Sequence, residues 1–464
     1  MSIKAPPADG FAVSAPLIII GAGAAGLCAA LAAREAGAEV VVLERDPVPK
    51  GSTALSAALI PAAGTRFQKM LGIDDSPALF AADLKHKAHD EADPAIVDVI
   101  AREAGATVEW LAERYNLPFT VVHDFDYPGH SARRMHGLPT RSGAELIDRL
   151  RQAAEDAAIP IIVDATVTEL YADADRVARG VEIIRPDGAM DSLGCQALIL
   201  ACNGYGGDSD LVAQYIPEMK GALYFGHPGN RGDAVLWGQA LGTKLLYMSG
   251  YQGHGSVAHP HGILITWAAS MEGGFQVNVS GARFSDESLG YSEQAAVVLA
   301  QPDGIAFDIF DERIATIARQ FEDFRQAEAS GAVIEASTVD QLAERLSLPV
   351  AALAQSFAEV EQAKQARASD RFGRSFANAA PLSPPFKAVK VTGTLFHTQG
   401  GVAVDEHARV MSMQGTLLPN LFAAGGAAAG ISGSYASGYL SGNGLLTATV
   451  LGRIAGLCAA ALVK

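Results

Sequence analysis

Leu17-Ile18-Ile19-Ile20-Gly21-Ala22-Gly23-Ala24-Ala25-Gly26 is the stretch on which the fold turns. Its four leading apolar residues read as a short buried strand. The next six fit G-x-G-x-x-G, placed where a strand ends and a helix opens. Gly21 makes the turn, Gly23 lets the backbone approach a pyrophosphate, and Gly26 lets the helix pack on the strand. The helix that the motif opens, read from Gly26 to Ala36, then offers free N–H groups and a partial positive charge at its start to phosphates. Ala/Leu-rich sequence continues to Ala36, and Gly37 is a stop signal. Glu39–Leu43 reads as a second strand. Glu44 ends it, near the spacing of about 20 residues at which an acidic residue accepts from an adenosine ribose. Together these make a βαβ unit with a parallel sheet. The expected fold is α/β, with a Rossmann-like dinucleotide-binding domain.

The 464-residue chain is too long for one ordinary core and predicts two or three domains. Residues 1–15 are Pro/Ala-rich and read as a loose arm. Residues 75–116 and 142–158 read as helical, 160–200 alternate like strands, and 232–242 reads as a helix. From about 251 the glycine-led pattern gives way to mixed strand and helix, including 310–328 and 338–366. Pro381, Pro384 and Pro385 mark its end. The expected division is a nucleotide-binding domain over 1–250 and 381–464, interrupted by an α+β capping domain over 251–380.

Hydrophobic residues make up 49% and charged residues 19%, which excludes a disordered chain. The net charge of −16 and the absence of any Lys/Arg run argue against nucleic acid as partner. Four cysteines lack CxxC, haem or zinc spacing, and their usage fits a reducing compartment. Leu17–Ala33 contains three glycines and Leu445–Val463 contains Arg453, so both read as buried rather than membrane-spanning. A cytoplasmic protein without a membrane span is expected.

The C-terminal part adds specificity. Pro419-Asn420-Leu421-Phe422-Ala423-Ala424-Gly425-Gly426 resembles the P-x-L-[FY]-A-A-G signature of flavoproteins in the fumarate reductase/succinate dehydrogenase superfamily. Gly51–Ser56, Ala197–Ala201, Ala282–Glu287 and His397–Gly401 resemble further stretches of that superfamily, in order along nearly the whole chain. The resemblance implies FAD. It implies contacts from Gly21, Gly23, Ala24, Ala25, Gly26, Glu44 and Arg45, then from Ser52, Thr53, Ser56, Ala57, Val167, Ala201 and Gly204. From the C-terminal part it implies Gly425, Gly426, Gly442, Asn443, Gly444 and Leu445, the last helix starting at the pyrimidine edge of the flavin. No histidine lies in Gly51–Ser56, where the respiratory complexes carry their covalent link, so the FAD is expected to be non-covalent. Gly426 stands where a glutamate is common. No cysteine pattern supports an iron–sulfur cluster or haem.

The resemblance also implies substrate groups. His254, His397 and Arg283 match two histidines and the proton-donating arginine of the fumarate reductases. The second arginine position holds Tyr439, which removes a bidentate clamp on a carboxylate. Tyr435-Ala436-Ser437-Gly438 resembles a segment of 3-ketosteroid Δ4-dehydrogenases. Tyr291 matches a tyrosine after the arginine motif in the Δ1 and Δ4 enzymes, and Asp126-Tyr127 resembles a pocket segment of the Δ1 enzymes. A C=C beside a carbonyl needs proton transfer at one carbon, hydride transfer at the next, and a donor for the carbonyl oxygen. The expectation is proton transfer by Tyr435 with Ser437 and by Tyr291, Arg283 being catalytic in the carboxylate case. Gly438, His254, His397, Tyr439 and Tyr127 would contact substrate. The favoured reaction is dehydrogenation of a cyclic ketone or reduction of its enone, with an unidentified electron acceptor. The alternatives are an unsaturated-carboxylate reductase using Arg283 as acid, and a flavin-binding electron carrier without a substrate pocket.

Overall fold

The computed structural model describes residues 2–123 and 126–464. Along the chain, the elements that position the site begin with β1 (Val13–Ile20), α1 (Ala24–Glu35), β2 (Val40–Leu43) and β3 (Met190–Leu200). They continue with β4 (Tyr251–Ala258), α2 (Tyr291–Leu299), β5 (Ile305–Asp311) and α3 (Glu322–Ala329). The last are β6 (Phe386–Thr398), β7 (Leu417–Ala423) and α4 (Asn443–Leu462).

A nine-stranded mixed sheet carries the glycine motif. β1 runs parallel to β2 and to β3, and β3 in turn runs parallel to β7. Leu17 to Ile20 are buried, as expected of a central parallel strand covered on both faces. α1 is buried from Ala24 to Ala33 and therefore reads as apolar all round. The sheet lies on one side of it and α4 on the other.

α4 has the length and composition of a membrane span. Here it packs along α1, and glycine makes the approach possible. A Cβ at Gly452 or Gly456 would collide with the carbonyl oxygens of Ala25 and Ala29. The C-terminal helix is thereby set beside the glycine motif of the N-terminal unit.

The second sheet has seven strands and is built around β6, which pairs antiparallel with β4 and with β5. Leu223–Tyr224 also pairs with β6, so this sheet draws strands from both sides of 251–380. One apolar core gathers residues between 15 and 201 with others between 402 and 460; a second spans 258 to 391.

The N-terminal arm is not loose. Ile3–Lys4 pairs in parallel with Leu170–Tyr171, and Lys4 binds Glu182 at 2.8 Å. Its Pro/Ala composition conceals a two-residue edge strand. The helices expected within 75–116 form as Pro77–Lys87 and Pro94–Tyr115, each with Pro at its first position and a capping Ser76 or Asp93.

The α1–α4 contact yields a test. Gly456→Leu forces a side chain between two helix backbones, and overpacking of this kind costs about 1–3 kcal/mol or more. Urea unfolding of the FAD-loaded variant should show the corresponding drop in midpoint; an unchanged midpoint would mean the two helices can separate freely.

Candidate functional site

A single long cleft of about 2020 Å³, solvent at its mouth included, runs from the glycine motif to the second sheet. Its lining runs from Gly21 and Glu44 at one end to Trp267 and Phe396 at the other.

At its nucleotide end Gly21 has a φ of +104° and donates its N–H to Leu43 O at 2.8 Å. A Cβ there would lie 2.5 Å from Ala201 O, so the position requires glycine on both conformational and steric grounds. Gly23 and Gly425 line the cleft without side chains, as a backbone cradle for phosphates requires. Glu44 fixes the loop. Its Oε2 accepts from Ala22 N–H at 2.8 Å and its Oε1 from Asp46 N–H at 3.0 Å. Thr53 Oγ1 accepts from Ala24 N–H at 3.0 Å, tying the second glycine-led segment to the helix start. Arg45 donates to Gly229 O at 2.6 Å. Ser52 Oγ receives the His227 N–H at 3.0 Å and the Asn230 amide at 2.8 Å. These contacts preorganise a cleft of the right length and polarity for FAD.

Most of the expected cofactor residues line this cleft. Gly21, Gly23, Ala24, Ala25, Glu44, Arg45, Ser52, Thr53, Ser56, Ala57, Val167 and Ala201 come from the first part of the chain. Gly425, Gly426, Gly442, Gly444 and Leu445 come from the last. Gly26, Gly204 and Asn443 do not line it. Gly26 is pressed on Gly21 O, Gly204 on Thr398 and Gly426, and Asn443 donates to Ser432 Oγ at 3.0 Å. They shape the site from behind.

The other end of the cleft is aromatic. His254 on β4 stacks on Tyr291, the first residue of α2, at 4.9 Å between ring centres, and on Phe396 at 5.3 Å. Trp267 meets His254 edge-on at 5.6 Å. Tyr439 meets His397 at 5.6 Å and Tyr291 at 6.2 Å. The Tyr439 oxygen accepts Gly444 N–H at 3.2 Å and is also hydrogen-bonded to Gly442 N–H, so it sits on the N-terminus of α4. Tyr291 is hydrogen-bonded to the Ser441 side chain. Tyr127 lines the same end.

Burial controls the charge of these groups. It pushes His254 down to about 3 and His397 down to about 4. It pushes the phenols of Tyr291, Tyr439 and Tyr127 up, so they hold their protons. Ser256 N–H donates to His254 Nδ1 at 3.1 Å, which assigns the ring proton to Nε2. His397 Nδ1 lies 3.1 Å from Thr398 O, which assigns its proton to Nδ1 and leaves Nε2 an acceptor. The end thus offers neutral donors and acceptors.

Three residues expected to be catalytic stand elsewhere. Tyr435 is 56% exposed and packs edge-on to His89. Ser437 Oγ lies 3.0 Å from His89 Nε2. Neither lines the cleft, because the backbone folds so that Gly438 packs behind Ser432 and Tyr439 turns inward instead. Gly438 is likewise absent from the lining. Arg283 is buried and committed: its guanidinium binds Glu287 at 2.6 Å, Asp370, and Ser285 O at 3.1 Å. Arg374 joins Glu287 at 2.9 Å, so two cations and two carboxylates balance in one buried group. Nothing in that group faces the cleft.

Sequence reasoning missed Phe225, Thr266, Trp267, Phe321, Asp323 and Phe396, all of which line the cleft. Of these, Phe396 alone had a signal, standing directly before His397.

The FAD binding domain family model matches residues 17–445. A probable fumarate reductase of Shewanella frigidimarina is 30% identical over 440 residues, covering 95% of this chain and 74% of that protein. A urocanate reductase of Eggerthella lenta is 27% identical, covering 98% and 76%. Among solved structures, the open conformation of a flavocytochrome c3 fumarate reductase superposes with a TM-score of 0.82 at 29% identity, covering 98% of this chain and 80% of that one. A 3-ketosteroid-Δ4-(5α)-dehydrogenase from Rhodococcus jostii RHA1 has the same fold, with a TM-score of 0.76 at 23% identity, covering 99% and 100%.

Two outcomes follow from this geometry. Glu44→Ala removes a buried charged acceptor worth about 1.5–3 kcal/mol, so FAD affinity by fluorescence titration should fall at least about tenfold; undiminished affinity would mean the loop holds its shape without it. His254 has a folded pKa below its unfolded value, so the unfolded chain takes up the extra proton as pH falls below about 6.5 and stability drops with acidification. His254→Gln lacks that loss. Its deficit against the native protein in urea should shrink by roughly 2 kcal/mol between pH 7 and pH 4.5, whereas a constant deficit would place the ring in contact with solvent.

Proposed function

This chain belongs to the FAD binding domain family, and from that premise we propose that it reduces, or in reverse forms, a C=C bond conjugated to the carbonyl of a cyclic ketone. Bound FAD supplies the hydride chemistry at the carbon β to the carbonyl. The chain's own residues position the ketone, exclude water and handle the proton.

The observation that carries this reading is Tyr439. It lines the cleft where a fumarate reductase of the resembling superfamily would carry an arginine, with its oxygen on the N–H groups of Gly442 and Gly444. Burial keeps the phenol protonated, so it is poised to give a proton to the carbon α to the carbonyl. The two N–H groups then stabilise the phenolate that remains, as helix N-termini do for any anion. Tyr291 and Ser441 return the proton. His254, with its hydrogen on Nε2, donates to the carbonyl oxygen as negative charge builds there. Trp267, Phe396 and Tyr291 give the ring of the substrate an apolar seat. A protonated phenol favours the reductive direction, which the reductase names of the sequence relatives support.

A second reading rests on those same relatives. They include fumarate reductases, and an unsaturated acid reduced with Arg283 as donor would follow their pattern. Against it stand the commitment of Arg283 to Glu287 and Asp370 and the neutrality of both histidines.

Anaerobic titration separates the two. The dithionite-reduced, FAD-loaded protein should regain its flavin absorbance with 2-cyclohexenone and stay bleached with fumarate. Tyr439→Phe should slow the reoxidation about 10²-fold or more, the usual scale for a lost general acid. Tyr435→Phe should leave it within about threefold, the scale of a substitution remote from the chemistry. Reoxidation by fumarate alone would remove the ketone from consideration.

A further inference from the structure

We propose that the substrate carries a protonated nitrogen, and that Asp323 with the surrounding aromatic rings is the subsite that receives it. The inference rests on the reading above for the placement of the substrate, and extends it to the part of the molecule away from the reacting bond.

Asp323 stands in the first turn of α3, and α3 packs on the strand Ile263–Leu264. It lines the cleft together with Leu264, Phe321 and Trp267. A first-turn aspartate often caps its helix or pairs with a neighbouring cation. This one does neither. No described residue donates a hydrogen bond to its carboxylate or forms an ion pair with it. Arg141, which lies over the Phe321 ring, is hydrogen-bonded to Gln320 at 2.7 Å. Asp323 is partly buried, and a partly desolvated carboxylate without a partner is costly unless something fills the role.

The charge around it points the same way. Arg45, at the nucleotide end, is the only lysine or arginine among the described residues lining the cleft. Burial keeps His254 and His397 neutral. Among the described residues, the aromatic end of the cleft is therefore lined by one carboxylate and by no lysine or arginine. Aromatic faces beside a carboxylate form the arrangement that selects ammonium and aromatic cations, through cation–π attraction and a charge-assisted hydrogen bond. The whole-chain charge of −16 would also draw a cation toward the cleft. A substrate with a carboxylate at this position would instead meet like charge.

The test uses three probes of equal size and different charge. Benzylamine, benzyl alcohol and benzoate are titrated calorimetrically at pH 7 into FAD-loaded native protein and Asp323→Asn. Asp323→Asn preserves shape and removes the charge. Benzylammonium should bind the native protein about tenfold tighter than benzyl alcohol, with benzoate weakest. The ratio of cation to alcohol should fall to within about twofold in Asp323→Asn. Equal ratios in the two proteins, or no preference for the cation in the native one, overturn the proposal. The probes contain no ketone, so a failure of 2-cyclohexenone to reoxidise the flavin beside an intact preference for the cation would sink the ketone reading and leave the subsite standing.

Discussion

The architecture depends on the backbone-to-backbone contact between α1 and α4. Ala25 and Ala29 on one helix meet Gly452 and Gly456 on the other with no side chain between them. That contact brings Gly21, Gly23 and Ala25 to the same cleft as Tyr439, Gly442 and Gly444, although more than four hundred residues separate them along the chain. One helix start serves the phosphates of a dinucleotide. The other sits under the Tyr439 phenol. Both present the N–H groups of a helix N-terminus at the cleft.

The substrate end is defined by what burial does to ionisable groups. Two histidines are stripped of charge, three tyrosines keep their protons, and the arginine available by sequence is paired with Glu287 and Asp370. Breaking that ion-pair group to free Arg283 would leave buried carboxylates uncompensated, at a cost of about 3–5 kcal/mol. Arg283 thus serves the cohesion of its own buried ion-pair group. Among the described residues, aromatic rings, two neutral histidines and the Asp323 carboxylate line that end of the cleft.

Much of this was legible in the sequence. The strand–glycine–helix–strand pattern over 17–44 specifies its own geometry, because G-x-G-x-x-G works only where backbone conformation and close approach both demand glycine. Family motifs located the return of the chain at 419–445 for the same reason. The site residues on regular elements, His254, Tyr291 and His397, were found by motif and do line the cleft. Failures came where one residue's offset decides which way a side chain points. Tyr435, Ser437 and Tyr439 lie within five positions of one another in a glycine-rich turn, and only the last faces inward. Arg283 shows a different limit. Glu287 stands four residues on, but the second partner, Asp370, is 87 residues away, so the local sequence shows only part of what occupies the guanidinium. Trp267, Phe321 and Asp323 came from segments read only as strand or helix, since a lining role depends on packing between α3 and the second sheet.

The most direct measurement is a crystal structure of the FAD-loaded protein with an unreactive saturated cyclic ketone bound. The account predicts the ketone in the aromatic end, its carbonyl oxygen on His254 Nε2, its α-carbon against the Tyr439 oxygen, and Arg283 still on Glu287 and Asp370. An Arg283 guanidinium swung into the cleft and bonded to the ligand, with Tyr439 out of reach, would contradict it.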